Sequence, residues 1–538
     1  MTDDEKKTRH RLSWARLALG AFSGVLAGFV SLCVAELVSA AVRPQASPVV
    51  AVGGAAIDRT PAAVKDWAIR HFGTNDKLFL QLGILAMLAL FALVLGIVAL
   101  RFRRTGAAGV LLFGIVGAVS ATSRPDSTSL ADALPSVVGA VAGAAVLYVL
   151  VGRLTRQIPS AEPVGGEPQD PPSGAGWDRR GFIVAATAAA AASAGAGILG
   201  RTLNSASGQN AVASRNKVVL PRPTSAAAAV PKGAQLRIPG ISPFTTPNSS
   251  FYRVDTALVV PKVNAATWQL RIHGTGVRRP VTLSYDDLLR RELIERDITL
   301  TCVSNEVGGP YVGNARWIGV RLADLLAECG VRPPSKGGSA DQLVARSVDG
   351  MTIGSPVEDV MDGRDALLAL GMNGEPLPFA HGFPVRMVVP GLYGFVSACK
   401  WIKDIELTTF DSYDPYWVKR GWARKAPIKT ESRIDTPKPF ARPGAGTVMV
   451  GGVAWAQHRG IDKVEVRVDD GPWREARLAA EDTRDTWRQW SFPWEATKGG
   501  HTLTVRATDR TGRLQTDKRT HTIPDGASGW HSVVVTVD

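Results

Sequence analysis

Five long apolar stretches in the first 200 residues constrain the fold of this 538-residue chain more than any other feature. Glu36 is the only charged residue within them. A bilayer core about 30 Å thick needs ~20 helical residues to cross it, so each stretch is long enough, or nearly so, for a transmembrane helix. The sequence therefore predicts membrane helices within Leu17–Val42, Leu78–Leu100, Ala107–Thr122, Leu134–Val151 and Phe182–Leu199.

Basic residues predict the orientation of these helices, because short cytoplasmic loops are enriched in Lys and Arg. Three basic clusters can share the cytoplasmic side: Lys6, Lys7, Arg9, Arg11 and Arg16, then Arg101, Arg103 and Arg104, then Arg153, Arg156, Arg179 and Arg180. The loop over 43–77 is an exception, since it holds five Lys/Arg against three Asp on the predicted outer side. We expect four helices in residues 1–155, a fifth over 182–200, and an extracytoplasmic remainder.

The segments on either side of the fifth helix have the composition of linkers. Residues 156–181 are rich in Pro and Gly, and residues 201–243 contain an alanine run and several prolines. The sequence from Asp178 to Ile183 (DRRGFI) resembles the twin-arginine export signal. That resemblance implies a bacterial cell membrane protein whose C-terminal part crosses the membrane already folded, with its cofactor acquired in the cytoplasm.

The overall composition excludes several classes of protein. Hydrophobic residues make up 45% and charged residues 20%, which excludes a disordered chain and a pure membrane bundle. A net charge of +14 would suit a nucleic-acid-binding protein, but we find no Lys/Arg-rich tract and no nucleic-acid-binding motif. We expect no nucleic-acid partner.

The soluble part divides into two predicted domains. Over 244–425, strand-like segments such as Ile298–Thr301 mix with helical segments such as Leu322–Cys329, which is an α+β pattern. Over 426–538 the pattern is all strand, with alternation at Val464, Val466 and Val468 followed by the turn sequence DDGP. Short alternating strands of this kind predict a β-sandwich of immunoglobulin type.

Cys302 is the first candidate for chemistry. It ends an apolar strand (ITLTC) and opens a loop of small residues, CVSNEVGGP, where a ligand can approach the backbone. The spacing alone leaves a structural thiol equally open. Cys329 and Cys399 are predicted to be packed thiols, because they lie beside an amphipathic helix and a strand-like segment.

A second cluster lies in the segment from Pro376 to Ile402. His381, Arg386 and Lys400 are three donor side chains among glycines and prolines that shape loops. A phosphate requires such donors, since Arg forms forked contacts and Lys supplies a point charge. A solvated loop with a core histidine is the alternative interpretation.

Four motifs in order resemble the sulfite oxidase family of molybdopterin enzymes, from about Phe251 to the C-terminus. They are LTCVSN, ARWIGVRLADLL, HGFPVRMVVPGLYG with CKWI, and GGVAWAQHRGIDKVEVRVDDGPWREARL. After the α-helical membrane bundle that the apolar stretches predict, the resemblance implies an α+β sulfite-oxidase-type molybdopterin domain and then an all-β immunoglobulin-like sandwich. It also implies a homodimer formed through the sandwich.

The resemblance assigns roles to individual residues. Cys302 matches the cysteine whose thiolate binds molybdenum, and a soft anionic sulfur suits a high-valent metal. Asn305, His381, Arg386 and Lys400 match positions that bind the molybdopterin cofactor. Arg253 is similar to the arginine that approaches the metal and binds an oxyanion substrate, where a cation can also stabilise developing charge.

The sequence also departs from the family pattern. Glu306 and Val307 occupy positions where sulfite oxidases carry arginines, and a carboxylate repels a dianion. The family's catalytic tyrosine has no clear equivalent, and Tyr416 and Trp422 are the two candidates nearest to its place.

Electron transfer is expected to use a separate carrier. No cytochrome b5-like segment and no CxxCH haem motif is present, and the first 200 residues contain only His10 and His71, both outside the apolar stretches. We therefore expect a cytochrome or a quinone-linked partner. Glu36 is predicted either to face a hydrated cavity or to bind a quinone or partner, since a carboxylate in hydrocarbon is costly.

The resemblance implies oxygen-atom transfer at a molybdenum centre, on a small oxyanion or other sulfur compound. Reduction of an S-oxide or N-oxide on the same cofactor is an alternative. A membrane transporter or sensor with a ligand-binding soluble domain is a hypothesis of a different class, and a member that binds pterin without turnover is a third.

Overall fold

The structure is a computed structural model that describes residues 14–61, 64, 67, 71, 76–127, 129–156 and 178–538. Lys6, Lys7, Arg9, His10 and Arg11 lie outside the described residues, as does most of the predicted linker over 156–181. The chain forms two compact units. One comprises the described residues up to Gln209 with Thr256–Val259, and the other comprises Asn210–Asp255 and Val260–Asp538.

The first unit is helical, as the apolar pattern predicted. Five of its helices are long and apolar enough to cross a membrane, judged by length and composition alone. A shorter sixth, α2, lies in the segment that we expected to be a loop. The helices are α1 (Trp14–Val42), α2 (Pro48–Arg59), α3 (Asp76–Arg101), α4 (Arg103–Thr122), α5 (Leu134–Thr155) and α6 (Arg179–Asn216).

Small residues let the long helices pack closely. A Cβ added at Gly24 of α1 would overlap the carbonyl oxygen of Ala92 in α3. A Cβ added at Gly143 of α5 would overlap the side chain of Ser31 in α1. Close backbone approach at small residues is a general means of helix association in membranes, and here it joins α1 to both α3 and α5.

Aspartates neutralise arginines at the end of the bundle where α1 and α4 finish. Arg43 bonds Asp132 through Nε and Nη2, both at 2.8 Å, and reaches Asp126 at 3.0 Å. Arg124 also pairs with Asp126, at 2.9 Å. Both aspartate side chains are buried. These pairs neutralise Arg43, which is one of the five Lys/Arg in the loop over 43–77 that departed from the predicted charge rule, and Arg124, which lies outside that loop.

Glu36 is satisfied within the bundle. Its Oε1 accepts a hydrogen bond from Asn204 Nδ2 at 2.8 Å, and its Oε2 accepts one from Ser47 Oγ at 3.1 Å. Two polar partners compensate a carboxylate that lies in an apolar helix. The contact with Asn204 also joins α1 to α6.

The structure corrects the prediction of a linker over 201–243. The fifth apolar helix continues to Asn216 instead of ending near residue 200. The segment that follows is not a solvated linker, because Thr224 N bonds Leu293 O at 2.9 Å and Leu236 N bonds Gln489 Oε1 at 2.6 Å. Arg215 bonds Leu377 O at 2.8 Å. Prolines and alanines here follow the surface of the second unit.

The second unit contains the predicted α+β part, which is built on two five-stranded sheets. One has the order β2-β1-β10-β5-β6, and the other has the order β3-β4-β7-β8 with β9 paired to β7. The strands are β1 (Gln269–Gly274), β2 (Val281–Ser284), β3 (Leu293–Thr301), β4 (Val312–Arg321), β5 (Gln342–Ser347), β6 (Thr352–Pro356), β7 (Leu367–Met372), β8 (Glu375–Pro376), β9 (Arg386–Val388) and β10 (Ile402–Thr408). Short helices connect them: α7 (Tyr285–Leu289), α8 (Leu322–Glu328), α9 (Val357–Met361) and α10 (Gly394–Ser397).

The C-terminal part is all strand, as predicted, and forms two four-stranded antiparallel sheets with the orders β11-β12-β16-β15 and β14-β13-β17-β18. Side chains of both sheets share one apolar core that includes Trp490, Phe492, Val464 and Leu503. The strands are β11 (Glu431–Thr436), β12 (Gly446–Trp455), β13 (Ile461–Val468), β14 (Arg474–Glu475), β15 (Arg477–Leu478), β16 (Arg488–Ala496), β17 (Gly499–Asp509) and β18 (His531–Val537). We refer to residues 426–538 as the sandwich.

We predict that Arg43→Met destabilises the helical unit. The change would leave Asp126 and Asp132 buried without one of their cations, which costs about 3 kcal/mol for a broken buried pair. Thermal unfolding of the detergent-solubilised chain measures the effect. Arg59→Met is the matched control, because Arg59 is exposed and donates to two uncharged acceptors, Ala55 O and Ser123 Oγ. Equal melting temperatures for the two variants would contradict the interpretation of the charge cluster.

Candidate functional site

Cys302 follows the last residue of β3 and begins a tightly bonded loop. Its N–H donates to Tyr311 O at 2.9 Å, and Asn305 N donates to Cys302 O at 3.1 Å. Asn305 Oδ1 accepts the N–H of Tyr311 at 2.7 Å, so this side chain closes the loop across its base. Cys302 is 9% exposed. The strand end predicted from the apolar pattern is therefore a short, fixed turn with the thiol at its start, and we refer to residues 302–311 as the cysteine loop.

His381 lies in the second predicted cluster and is held as a neutral imidazole. Its Nε2 is 3.0 Å from Asn248 O, and because a carbonyl only accepts, Nε2 carries the proton and Nδ1 is an acceptor. Burial, together with the neighbouring Arg386 cation, lowers the pKa of His381 to about 4. Near neutral pH this side chain is thus an uncharged hydrogen-bonding group.

Arg386 is a buried cation with a free donor. Its Nη1 donates to His381 O at 3.2 Å, and its guanidinium carbon lies 5.0 Å from the ring centroid of Trp317. The Nε–H is buried and has no hydrogen-bond partner among the described residues. Burial lowers the pKa of Arg386 to about 10, which leaves it charged at neutral pH. A buried donor without an acceptor is uncommon and indicates a place for a ligand acceptor.

Gly382 brings Arg386 and Lys400 together. Its φ is +111°, and a Cβ there would lie 3.0 Å from Arg386 Cβ and 3.2 Å from Lys400 Cα. Lys400 Nζ donates to Asp255 Oδ2 at 2.8 Å and lies 4.5 Å from the ring centroid of Trp401. The three predicted donors therefore converge on one glycine turn, so the alternative of a solvated loop is wrong.

Phe251 and Tyr252 connect the two clusters. Phe251 contacts the His381 ring at a centroid distance of 5.5 Å, and Tyr252 stacks on Phe251 at 5.2 Å. Tyr252 also lies 6.4 Å from the ring of Tyr311 in the cysteine loop. Burial raises the pKa of Tyr252, the charge of a Cys302 thiolate raises it further, and Arg386 opposes the rise. Tyr252 therefore lies within electrostatic range of both predicted clusters.

Arg253 joins the cationic side of this site. Its Nε lies 3.4 Å from Asp255 Oδ2, the same oxygen that Lys400 contacts. The Arg253 side chain is 30% exposed, whereas the Asp255 side chain is 4% exposed. One buried carboxylate thus holds an arginine and a lysine at adjoining positions.

Tyr416 and Trp422 belong to an aromatic cluster. Trp417 lies between them, at centroid distances of 5.1 Å and 5.8 Å, and Trp422 packs on Phe395 at 5.5 Å. The guanidinium of Arg420 covers the Tyr416 ring at 3.5 Å. The buried Trp422 Nε1–H has no hydrogen-bond partner among the described residues. Phe395 is on α10, whose first residue, Gly394, lies near Thr301 O at the end of β3.

Three residues near the site were not predicted: Tyr252, Asp255 and Tyr393. Burial raises the pKa of the Tyr393 hydroxyl, with further contributions from Glu431 and from the Cys302 charge. Tyr252 and Asp255 flank Arg253, and Tyr393 lies in the PGLYG segment. Nothing in the sequence shows which groups these side chains meet, because side-chain direction in a loop has no periodicity.

The comparisons with known proteins agree with this arrangement. Residues 257–417 match the model of the oxidoreductase molybdopterin binding domain. Sulfite oxidase of Gallus gallus is 30% identical over 321 residues, which cover 51% of this chain and 68% of the chicken protein. The chain belongs to the sulfite oxidase family of molybdopterin oxidoreductases.

Two further relatives show how far the match extends. Mitochondrial sulfite oxidase of Mus musculus is 31% identical over 290 residues, covering 46% of this chain and 53% of the mouse protein. The chain thus spans about half the length of that relative. The uncharacterized oxidoreductase YuiH of Bacillus subtilis is 30% identical over 182 residues, covering 34% of this chain and 85% of its own length. As a family member, the chain carries a molybdopterin-binding oxidoreductase domain and uses molybdopterin with molybdenum.

We predict that Gly382→Ala strongly lowers the cofactor content of the purified protein and only slightly lowers its stability. The strained φ costs about 1 kcal/mol for a residue with a Cβ, and the added methyl also pushes apart Arg386 and Lys400. Molybdenum per purified chain and the melting temperature are the two measurements. Gly421→Ala is the matched control, because Gly421 has φ +85° and no atom within 4 Å of the added Cβ. Equal molybdenum contents in the two variants would contradict the assignment of this turn to the cofactor.

Proposed function

We propose that this protein is a membrane-anchored, extracytoplasmic oxidoreductase that transfers an oxygen atom between a small sulfur compound and water. Cys302 is its molybdenum ligand. The observation that carries the proposal is a series of ring contacts between the two clusters: Tyr252 lies 6.4 Å from Tyr311 of the cysteine loop and stacks on Phe251, which contacts the His381 ring at 5.5 Å. A thiol on one side and the cations Arg386 and Lys400 on the other would together bind an anionic metal cofactor.

The residues fit a molybdopterin group. Arg386 offers a buried Nε–H without a protein acceptor, and Lys400 adds an ammonium on the same glycine turn. Neutral His381 offers Nδ1 as an acceptor for a ring N–H. We assign the phosphate to Arg386 and Lys400, and the pterin ring to His381 and Asn305. Bound there, the cofactor would supply a metal that gains two electrons when it gives up an oxygen atom and loses two electrons when it takes one up.

The protein's own groups would bind and orient the substrate. Arg253 has the most exposed side chain among the cations of this site, and it would attract an oxyanion. Asp255 fixes the direction of that arginine and balances part of its charge. The aromatic cluster of Tyr416, Trp417 and Trp422 would exclude water from one wall, and the indole N–H of Trp422 could donate to a bound oxygen.

The cysteine loop favours a substrate with less negative charge than sulfite. Glu306 is in this loop, four residues after the proposed ligand, and adds a negative charge where a dianion would have to approach. Reduction of a neutral S-oxide or N-oxide is therefore our second candidate function.

The membrane unit would act as an anchor on which a separate electron carrier docks. The described arginines at one end of the bundle, Arg43 and Arg124, are matched by aspartates. This matching supports an orientation in which the three basic clusters predicted from the sequence are cytoplasmic and the soluble unit is outside, with Arg179 and Arg180 as the export signal. A cytochrome or a quinone-linked protein would exchange electrons with the metal, and the immunoglobulin-like sandwich would form a homodimer.

We predict that Cys302→Ser abolishes turnover while the protein stays folded. Loss of the thiolate removes the proposed protein ligand of the metal, so oxidation and reduction of sulfur compounds should fall by at least about a thousandfold with artificial electron carriers. Cys329→Ser is the matched control, because Cys329 is also buried but lies at the end of α8. Unchanged function of the Cys302→Ser protein would instead favour a transporter or sensor. Bound pterin without turnover in the natural protein would indicate a non-catalytic member.

We predict that Glu306→Arg shifts specificity toward dianions. Reversing one charge near the substrate should raise kcat/KM for sulfite relative to a neutral S-oxide by about tenfold. The two rates are measured on the full-length protein at low and high salt, since screening should reduce the shift. If the ratio of the two kcat/KM values did not change, the charge of Glu306 would give no reason to expect a neutral substrate.

A further inference from the structure

The sandwich holds the free edge of the strand that leads to Cys302. β3 is the edge strand of its sheet, with β4 on its other side. Thr299 N donates to Asp485 O at 2.9 Å, and Trp487 N donates to Thr299 Oγ1 at 2.7 Å. Gln457 Nε2 donates to Thr299 O at 2.9 Å and to Thr301 Oγ1 at 3.1 Å. The last residues of β3 are therefore bonded to the sandwich up to the residue before Cys302.

The sandwich also contacts the far side of the cysteine loop. Arg433 of β11 donates from Nη1 to Gly309 O at 2.8 Å. Its Nη2 donates to Ser242 Oγ at 2.9 Å and its Nε donates to Asp435 Oδ1 at 2.7 Å, so all three donor groups have acceptors. The side chain is 8% exposed. A fully bonded, buried guanidinium has little freedom to move.

His531 fills the space beside the same turn. A Cβ added at Gly308, where φ is +79°, would overlap the imidazole ring of His531. His531 Nδ1 accepts the N–H of Ile434 at 3.0 Å, so this ring is fixed to the residue next to Arg433. Gly308 and Gly309 are thus enclosed by the sandwich on two sides.

Hydrogen bonds inside the loop carry this restraint to Cys302. Gly309 N donates to Glu306 O at 2.7 Å, and Asn305 Oδ1 accepts from Tyr311 N at 2.7 Å. Tyr311 O in turn accepts the N–H of Cys302. A shift of Gly309 would therefore move the residues that fix the Cys302 backbone.

We propose that Arg433 is a positioning residue for the Cys302 sulfur. Its bond to Gly309 O, supported by His531 against Gly308, sets the turn of the cysteine loop from outside the molybdopterin-binding domain. The proposal rests on the proposed function in that Cys302 is the metal ligand. It gives the sandwich a second task besides the expected dimer contact, namely orienting that ligand.

The test compares Arg433→Met and Arg433→Lys with the natural full-length protein. The Met variant keeps the side-chain stem but loses all three donor groups. The Lys variant keeps a charge beside Asp435, but one ammonium cannot reproduce the planar fork that bonds Gly309, Ser242 and Asp435. If the Met variant does not fold, the Lys variant therefore still tests the positioning role of Arg433.

The first readout uses the cofactor-free protein. Alkylation of Cys302 by iodoacetamide, followed by peptide mass spectrometry, should be about tenfold faster in both Arg433 variants, because a loosened loop opens more often. Alkylation of Cys329 in the same samples should not change. The second readout uses loaded protein, where the sulfur-to-metal charge-transfer absorption should shift and kcat should fall more than KM rises.

Arg459→Met is the matched control. Arg459 is another sandwich arginine with a buried acidic partner, since it pairs with Asp509 at 2.8 Å and donates to Ile428 O at 3.0 Å. Its acceptors, Asp509, Ile428 O and Thr430 Oγ1, all lie outside the cysteine loop. It should reproduce any general loss of stability without faster Cys302 alkylation or a spectral shift.

The outcomes separate this proposal from the proposed function. Natural alkylation rates and natural spectra in folded Arg433 variants would overturn the positioning role, and so would equal changes in Arg459→Met. A Cys302→Ser protein that keeps the charge-transfer absorption would overturn the metal-ligand assignment itself, whatever the Arg433 variants do.

Discussion

Backbone pairing within one sheet fixes the distance between the two halves of the site. Cys302 follows β3 and Arg386 begins β9, and the order β3-β4-β7 with β9 on β7 joins them through paired backbones. Hydrogen-bonded strands at fixed spacing cannot change their separation without breaking several bonds at once. The loops that carry the chemistry can therefore differ in sequence while the two halves stay in register.

Charge balance within this frame explains which groups remain available to a ligand. Asp255 engages both Arg253 and Lys400, whereas the buried Arg386 keeps an Nε–H without a protein partner. A buried cation is costly unless something compensates it, and here a bound anion would supply the compensation. Arg386 thus retains a donor for a ligand, while Arg253, whose side chain is 30% exposed, already shares Asp255 with Lys400.

The sandwich and the helical unit are stabilised in different ways. The sandwich contributes polar groups directly to the last turn of β3 and to the cysteine loop, as Gln457 and Arg433 illustrate. The helical unit builds its stability from small residues at helix contacts and from neutralised charge at one end. The same chain therefore uses hydrogen-bond networks where a side chain must be held in one place and close backbone packing where helices need only associate.

The apolar helices, the alternating strands, Cys302 and the second cluster could all be predicted from sequence. Periodicity reports which face of an element is buried, and the motifs preserve the spacing of residues along the chain. The family resemblance was likewise determined by motif order, because LTCVSN, HGFPVRMVVPGLYG and CKWI occur in succession. The end of α6 could not be predicted, since the alanine-rich and polar residues up to Asn216 have no apolar signal of their own.

Tertiary structure alone decided which side chains meet. Tyr252 lies within range of Cys302 and Arg386, Asp255 bonds Lys400 from 145 residues away, and Arg433 reaches Gly309 across 124 residues. Contacts between such distant residues depend on how sheets pack and where loops turn, and neither leaves a periodic trace in the sequence. The sequence by itself determined the elements and the type of chemistry, whereas the fold determined the neighbours that hold each reactive group in place.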